Sequence, residues 1–188
     1  MFSGYAAQAL GLPIETLVVA TNANDILSRF FNSGTMEIRD VKPSLSPSMD
    51  IQVSSNFERL LFDLHDRDGK ATTRVLEGFR ESGGFSASQG MLDRVHALFG
   101  ATAVDDAATT ARIRSTFAAT GEILDPHSAI GIEAAVRMRK AKTLSSYVPD
   151  VSIYTATPSN CPLYTSDAAD QQLSATTHQS RLNKKKTP

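Results

Sequence analysis

The sequence predicts an α/β fold built on a parallel sheet. Two short apolar runs rich in β-branched residues, TLVVA at residues 16–20 and DVSIYTA at residues 150–156, are typical of buried strands. Segments with the apolar spacing of helices lie between them. Helices that alternate with strands apolar on both faces are characteristic of a parallel sheet covered by helices.

The composition narrows the classes of function. The chain has 188 residues, of which 41% are hydrophobic and 21% charged, as in ordinary globular proteins. It contains no run of 18 apolar residues, so we expect no membrane partner. The single cysteine, Cys161, excludes a disulfide framework, and the four histidines show no ligand spacing with it. We therefore expect a cytoplasmic protein without a bound metal.

The charge is unevenly distributed. The formal net charge is −1, but four basic residues, Arg181 and Lys184 to Lys186, lie at the C-terminus and leave residues 1–170 acidic overall. An acidic surface matches nucleic acid poorly, so we expect no nucleic-acid partner.

Capping and breaker residues define the first elements. Residues 4–10 are rich in alanine and predict a helix that Gly11 and Pro13 end. After the strand at 16–20, Asn24 or Asp25 caps a second helix. The apolar face of that helix carries Ile26, Leu27, Phe30 and Phe31.

The middle of the chain combines one long loop with several helices. Residues 33–50 contain two prolines, a glycine and four serines, which predicts an ordered loop with room for one strand. Gly83, Gly84 and Gly121 predict breaks between the helices that follow. These helices are predicted at 55–65, 70–82, 86–99 and 105–120.

A last helix begins at Asp125 and Pro126, because Asp is a favoured cap and Pro a favoured first helical residue. It extends to about Lys142. The strand at 150–156 follows, and residues 163–188 have no periodicity, which predicts a polar tail.

Polar clusters follow both predicted strands. Residues 21–25 (TNAND) come after the first strand and residues 155–159 (TATPS) after the second. Ligands of open α/β sheets bind beyond the carboxyl ends of the strands, so we expect these clusters to form a site. The helix start at residues 125–128 is expected to join them.

Four stretches resemble threonine synthases, which are pyridoxal-phosphate enzymes of fold type II. They occur in family order over residues 2–162, and the fourth resembles the family more loosely than the others. The stretches are FSGYAAQALGLPIETLVVATNANDILSRFFNSG at 2–34, SLSPSMDIQVSSNFERLLFDL at 44–64, LDPHSAIGIEAA at 124–135 and SIYTATPSNCP at 152–162.

The resemblance implies part of the three-layer α/β/α fold of these enzymes, truncated at both ends. It implies that the complete enzyme converts O-phosphohomoserine and water to L-threonine and phosphate, with pyridoxal phosphate as cofactor. In this family a lysine in a segment reading Ser-Phe-Lys-Asp holds the cofactor as a Schiff base, and the chain contains no such segment. We therefore expect residues 1–162 to be a partial catalytic domain that is inactive alone.

The end of the chain departs from the family pattern. TATPSNC at 155–161 stands where the family commonly has TAHPAKF. LYTSDAAD at 163–170 resembles translated sequencing-adaptor sequence. Residues 163–188 are accordingly expected to be non-native sequence or a disordered tail.

Thr155 is the candidate cofactor-binding residue. The resemblance implies that a hydroxyl near this position hydrogen-bonds the pyridine nitrogen of the cofactor and so tunes its electron demand. The alternative is an ordinary threonine at the end of a strand.

Asn22, Asn24 and Arg29 are candidate substrate-binding residues. Asn side chains both donate and accept hydrogen bonds, and Arg holds anions through two parallel bonds, which suits a phosphorylated amino acid. The alternative for Asn24 is a helix cap. The alternative for Arg29 is an ion pair with Asp25, four residues earlier.

His127 is the remaining candidate for substrate binding. At the start of a helix its imidazole is favoured in the neutral form, which could donate to a substrate phosphate or lie beside the cofactor. A structural histidine is the alternative. Ser46, Ser48 and Asp50 fit turn and capping chemistry, although Asp50 could also orient a neighbour of the site.

Two rival functions stay open. A related type II lyase or dehydratase would act on another amino acid, but such relatives lack the SPSMD motif found at 46–50. A non-catalytic binding module using the basic C-terminus would need no lysine for the cofactor.

Overall fold

A computed structural model describes residues 1–143, with side chains up to Ala141. The helices of this part are α1 (Phe2–Ala9), α2 (Ile26–Ser33), α3 (Ser55–Leu64), α4 (Gly69–Ser82), α5 (Gln89–His96), α6 (Asp106–Thr120) and α7 (Pro126–Thr143). The strands are β1 (Leu17–Thr21), β2 (Thr35–Glu37), β3 (Gly84–Ser86) and β4 (Phe99–Ala103). A short 3₁₀ helix spans Pro47–Met49.

The described strands form two separate pairs. β1 and β4 run parallel, with Leu17 opposite Phe99 and Thr21 opposite Ala103. β2 and β3 run antiparallel, with Met36 opposite Phe85. The parallel pair confirms the predicted kind of sheet. β2 lies in the loop of residues 33–50, where room for one strand was predicted, whereas β3 and its antiparallel pairing with β2 were not indicated by the sequence pattern.

An aromatic core lies between α2, α3 and the two strand pairs. Phe30 is fully buried, and its ring centroid lies 5.7 Å from that of Phe31, 4.7 Å from that of Phe57 and 5.7 Å from that of Phe85. Phe31 also packs against Phe99 of β4 at 4.9 Å. The apolar face predicted for α2 is therefore the face that is buried.

Helix α7 runs antiparallel to β1 and β4. Near its start, Ile130 packs in a small buried cluster with Val104, which directly follows β4, and with Ala20 near the end of β1. Near its end, Met138 lies against Gly100 at the start of β4, where a Cβ atom would come within 2.4 Å of the Met138 Cε. The N-terminus of α7 therefore lies at the carboxyl edge of the parallel pair.

Several predicted boundaries are confirmed to within two residues. α1, β1, α2, α3, α4, α6 and α7 all appear where the pattern placed them. Gly83 and Gly121 end α4 and α6 with φ of 76°, a left-handed conformation that glycine adopts without strain.

The prediction of one helix over residues 86–99 is wrong. That region contains the end of β3, the shorter helix α5 and the start of β4. The helical spacing belongs to residues 89–96 alone, and Phe99 enters a strand because it pairs with β1. The strand predicted at 150–156 and the tail at 163–188 lie outside the described residues.

Within residues 1–143, no helix is long and apolar enough to cross a membrane.

Candidate functional site

The candidate site is the carboxyl edge of the β1–β4 pair. Thr21 ends β1, and Asn22 to Asp25 continue from it directly into α2. The loop of residues 42–50 lies over this edge and is also bound there by α6, because the backbone N–H of Leu45 donates to the Asp106 Oδ1 at 3.2 Å. This edge is the place where ligands bind in sheets of this type.

Asn22 connects the end of β1 to the loop. Its side chain is fully buried, and its Nδ2 donates to the Asp50 Oδ1 at 2.6 Å. The Ser44 Oγ at 2.8 Å and the Ser46 Oγ at 3.0 Å are further acceptors within reach of the same nitrogen. The Oδ1 of Asn22 accepts the backbone N–H of Asn24 at 2.9 Å, which shapes the turn after the strand.

Asn24 makes a second connection to the same loop. Its Nδ2 donates to the Lys42 carbonyl at 2.8 Å and to the Asp50 Oδ1 at 2.9 Å, and its Oδ1 accepts the Lys42 N–H at 2.8 Å. The side chain is buried and does not cap α2. Both asparagines thus hold the loop against the sheet.

Asp50 is the acceptor on which both asparagines converge. The Ser44 Oγ donates to its Oδ1 at 2.7 Å and the Ser44 N–H to its Oδ2 at 3.0 Å. Burial acts to raise the pKa of this carboxyl, but the hydrogen bonds from Ser44, Asn22 and Asn24 outweigh it, so the pKa lies below its usual value. The site therefore contains a fixed negative charge held by neutral donors.

A pocket of about 110 Å³ opens beside this network. Its walls come from the end of β1, the start of α2 and residues 48–54, and they are mostly apolar apart from Thr21, Asn24, Ser48 and Ser54. The Oγ1 of Thr21 is buried and has no hydrogen-bond partner in the described part of the chain.

Arg29 points away from this network toward β2. Its Nε lies 3.0 Å from the Asp25 Oδ1, one of its terminal nitrogens donates to the Glu37 carbonyl at 2.8 Å, and the other lies 3.6 Å from the Glu37 Oε2. The guanidinium is thus committed to two carboxylates and one carbonyl.

His127 lies in the first turn of α7, at the same carboxyl edge as the asparagines. Its side chain is 7% exposed, and its Nδ1 lies 3.1 Å from the Asp125 Oδ1. Its Nε2 is buried, and no side chain or backbone group up to residue 143 pairs with it. Asp125 also accepts the N–H groups of His127 at 2.9 Å and Ser128 at 3.3 Å, which confirms the predicted helix start.

The carboxyl of Asp125 is stabilised as a carboxylate. Burial acts to raise its pKa, but the hydrogen bonds from Ser128 and His127 outweigh that effect, so its pKa lies below the usual value.

The structure brings three of the candidate residues to one edge: Asn22, Asn24 and His127. Arg29 lies beside β2, and Thr155 lies outside the described residues. Sequence reasoning missed Ser44, whose hydroxyl and N–H both bind Asp50. Its place beside Pro43 in a loop rich in serine was the available signal.

Asp50 was predicted mainly as a turn residue, and the structure shows a wider role. It binds two asparagines that lie 26 and 28 positions earlier in the chain, a long-range connection that no local pattern shows.

Within residues 1–143, no group of three His, Cys, Asp or Glu side chains is arranged to hold a metal ion.

A comparison with models of protein families finds none that matches the chain. Among curated proteins, the threonine synthase of Pseudomonas aeruginosa is 46% identical over 162 residues, which covers 86% of this chain and 34% of that protein. The threonine synthase of Saccharomyces cerevisiae is 38% identical over 172 residues, covering 84% of this chain and 33% of that protein. The chain thus spans about a third of the length of these relatives.

Solved structures give the same result. The pyridoxal-phosphate-bound threonine synthase from Brucella melitensis is 49% identical with a TM-score of 0.70, over 72% of this chain and 29% of that chain. The threonine synthase from yeast is 35% identical with a TM-score of 0.71, over 74% of this chain and 30% of that chain.

Fold and structural matches together define the class: a mixed α/β chain with parallel strands that forms part of a type II pyridoxal-phosphate enzyme fold. Within that class, the chain belongs to the threonine synthase family and corresponds to part of such a protein. Both the predicted fold class and the family resemblance are confirmed.

Proposed function

We propose that the longer protein containing this segment is a pyridoxal-phosphate-dependent threonine synthase that converts O-phosphohomoserine and water to L-threonine and phosphate. The observation that carries the proposal is the 46% identity to the Pseudomonas aeruginosa enzyme over 86% of the chain. The 49% identity to a pyridoxal-phosphate-bound threonine synthase structure supports the cofactor. The substrate is thus a small molecule, and we propose a cytoplasmic location.

The described residues fit a contribution to a cofactor and substrate site. Two buried side-chain atoms at the carboxyl edge, the Thr21 Oγ1 and the His127 Nε2, have no partner among the residues that the structure describes. Buried polar groups in native proteins are almost always hydrogen-bonded, so both atoms indicate a missing partner. When bound, pyridoxal phosphate supplies an electron sink for carbanion chemistry at the substrate.

The residue that links the cofactor to the protein is not among the described side chains. Lys42, Lys70 and Lys140 are all exposed to solvent. A lysine that forms a Schiff base is usually desolvated in its pocket. We propose that this lysine belongs to another part of the protein, and that chain 1–188 does not turn over substrate by itself.

The proposal assigns substrate contact to Asn22, Asn24, Arg29 and His127, and cofactor contact to Thr155. The position of Asn22, Asn24 and His127 at the carboxyl edge supports their part, and the two buried asparagines would have to exchange a bond to the loop for one to the substrate. To bind the substrate phosphate, Arg29 would have to give up its ion pair with Asp25 or with Glu37.

The test is release of phosphate and formation of threonine by the longer protein, loaded with pyridoxal phosphate and supplied with O-phosphohomoserine. We expect both products in equal amounts. Serine and threonine as alternative substrates test the dehydratase, whose product would be a 2-oxo acid. Turnover of serine without turnover of O-phosphohomoserine would contradict the proposal. Chain 1–188 is the matched control, and phosphate release by it would contradict the placement of the lysine.

A further inference from the structure

Four buried side-chain atoms in the described part of the chain have no hydrogen-bond partner: Ser3 Oγ, Thr21 Oγ1, His65 Nε2 and His127 Nε2. Two of them, on Thr21 and His127, lie at the carboxyl edge of the parallel strands. His127 is the more informative of the two. Its other ring nitrogen, Nδ1, contacts Asp125, and this contact indicates which of the two ring nitrogens carries the proton.

The contact with Asp125 fixes the tautomer of His127. Asp125 also accepts the N–H groups of His127 and Ser128 and the Ser128 hydroxyl. A carboxylate held by so many donors is ionised and only accepts hydrogen bonds. The Nδ1 of His127, 3.1 Å from the Asp125 Oδ1, must therefore carry the proton.

The other nitrogen is then a bare acceptor. The described residues place no acceptor at the buried Nε2, so a proton on that nitrogen would go unpaired. A neutral imidazole with its proton on Nδ1 has a free lone pair on Nε2. An ionised phosphate offers only acceptors, so it cannot pair with this lone pair.

We propose that the His127 Nε2 accepts a hydrogen bond from a hydroxyl or ammonium group of the amino acid bound at the carboxyl edge. Asp125 is the positioning residue that fixes the tautomer. The identity of the ligand rests on the proposed function. The sequence predicted that His127 could donate a hydrogen bond to the substrate phosphate, whereas here its Nε2 accepts one.

The position of α7 supports this assignment. Ile130, one turn after His127, belongs to a buried cluster with Val104 and Ala134, and Ala20 near the end of β1 and Met49 of the loop pack against that cluster. His127 therefore lies near the carboxyl ends of the strands, although it does not itself line the pocket.

The direct test is the protonation of His127 in the longer protein labelled with ¹⁵N-histidine and loaded with cofactor. Long-range ¹H–¹⁵N spectra distinguish a bare ring nitrogen from a protonated one. We expect Nδ1 protonated and Nε2 bare. Adding L-threonine, which has both an ammonium and a hydroxyl group, is expected to shift the Nε2 resonance, whereas sulfate, an anion with acceptors alone at neutral pH, is not. A protonated Nε2, or an Nε2 that does not respond to threonine, would overturn the proposal.

Asp125→Ala tests the positioning role. We expect the population with the proton on Nε2 to rise in this variant, because Nδ1 loses its acceptor. Asp105→Ala is the matched control, since Asp105 caps α6 in the same way through the Ala108 N–H at 2.8 Å. An equal change in both variants, or in neither, would refute the assignment to Asp125.

His127→Asn tests the binding contribution. The amide can still donate to Asp125 but places no acceptor at the position of Nε2, so we expect threonine to bind at least tenfold more weakly. His65→Asn is the control, because His65 also has a buried unpartnered Nε2 but lies at the end of α3. If His127→Asn does not fold, the spectra of the unmodified protein still decide. An Nε2 response without turnover would contradict the proposed function alone, and turnover without that response would contradict this inference alone.

Discussion

Asp50 shows how a single carboxylate organises the candidate site. It accepts hydrogen bonds from Asn22, Asn24 and Ser44, and in the described part of the chain it has no ion pair. Hydrogen bonds to a charged group contribute more to stability than those between neutral groups. The position of the loop over the strands therefore depends on this charge.

We expect Asp50→Asn to destabilise the longer protein by about 1–3 kcal/mol. The new amide NH₂ would face the N–H and O–H groups of Asn22, Asn24 and Ser44, which now donate to the carboxylate. Thermal unfolding measures the loss. Asp40→Asn is the control on the same loop: Asp40 is exposed, and we expect a change within about 0.5 kcal/mol. Equal losses in both variants would contradict the role of Asp50.

The effect of Asp50→Asn is also expected to depend on pH. The pKa of Asp50 is lower in the folded protein than in the unfolded chain, where it is about 3.9. Its contribution is therefore complete above that unfolded value and is lost as the pH falls through the folded value. Unfolding measured from pH 7 downward should show the difference between the two proteins beginning to shrink once the pH falls below the unfolded value. A difference that stays constant would contradict this.

The residue scale also shows the limits of the sequence pattern. The asparagines after β1 were predictable, since polar residues after an apolar strand mark the carboxyl edge of a sheet. Their partners were not, because Ser44 and Asp50 reach them only after the loop folds back. The bare nitrogen of His127 likewise depends on a ring orientation that sequence spacing does not specify.

At the scale of elements, β4 shows why the prediction of a helix over residues 86–99 was wrong. Three of the five residues in its sequence, FGATA, are glycine or alanine, which have low strand propensity, and it follows a segment with clear helical spacing. It forms a strand because Phe99 to Ala103 pair with β1 and because Gly100 lets α7 approach closely. Tertiary pairing overrides local preference here, whereas α3, α4 and α6 follow their local patterns.

Glu133 links two of these helices. Its Oε2 accepts from the Arg112 Nε at 2.9 Å and from an Arg112 terminal nitrogen at 2.7 Å, and its Oε1 accepts from the Arg137 Nε at 2.8 Å. Burial acts to raise its pKa, but the two guanidinium groups outweigh that effect and lower it. Glu133 therefore connects α7 to α6, and Arg137 extends the connection to the Ala103 carbonyl.

We expect Glu133→Ala to destabilise the longer protein by about 1–3 kcal/mol, because two partly buried guanidinium groups lose their acceptor. Arg39→Ala is the control, since its ion pair with Glu37 is exposed on both sides and should contribute under about 1 kcal/mol. Thermal unfolding gives both values. A loss for Glu133→Ala no larger than for Arg39→Ala would contradict the link between the helices.

At the scale of the whole molecule, the described residues leave much apolar surface exposed. Leu10 is 89% exposed, Ile123 80%, and Phe117 and Leu12 54% each. The parallel pair consists of two strands in the described part, so backbone groups along its outer edges have no strand partner. Exposed apolar patches and open strand edges promote association.

Chain 1–188 is therefore expected to aggregate when it is purified by itself. Light scattering and size-exclusion chromatography measure this, and a sharp, cooperative melt from a soluble monomer would contradict it. The expectation follows from the exposed surface and is independent of the catalytic proposal.

The central proposal is that the longer protein containing this chain is a threonine synthase, of which the chain forms about a third. The most direct measurement is the activity of a chimera in which residues 1–162 replace the matching segment of the Pseudomonas aeruginosa threonine synthase, with loading of pyridoxal phosphate checked by absorbance. We expect the chimera to form L-threonine and phosphate from O-phosphohomoserine. A chimera that folds and binds the cofactor but releases no phosphate would contradict the claim.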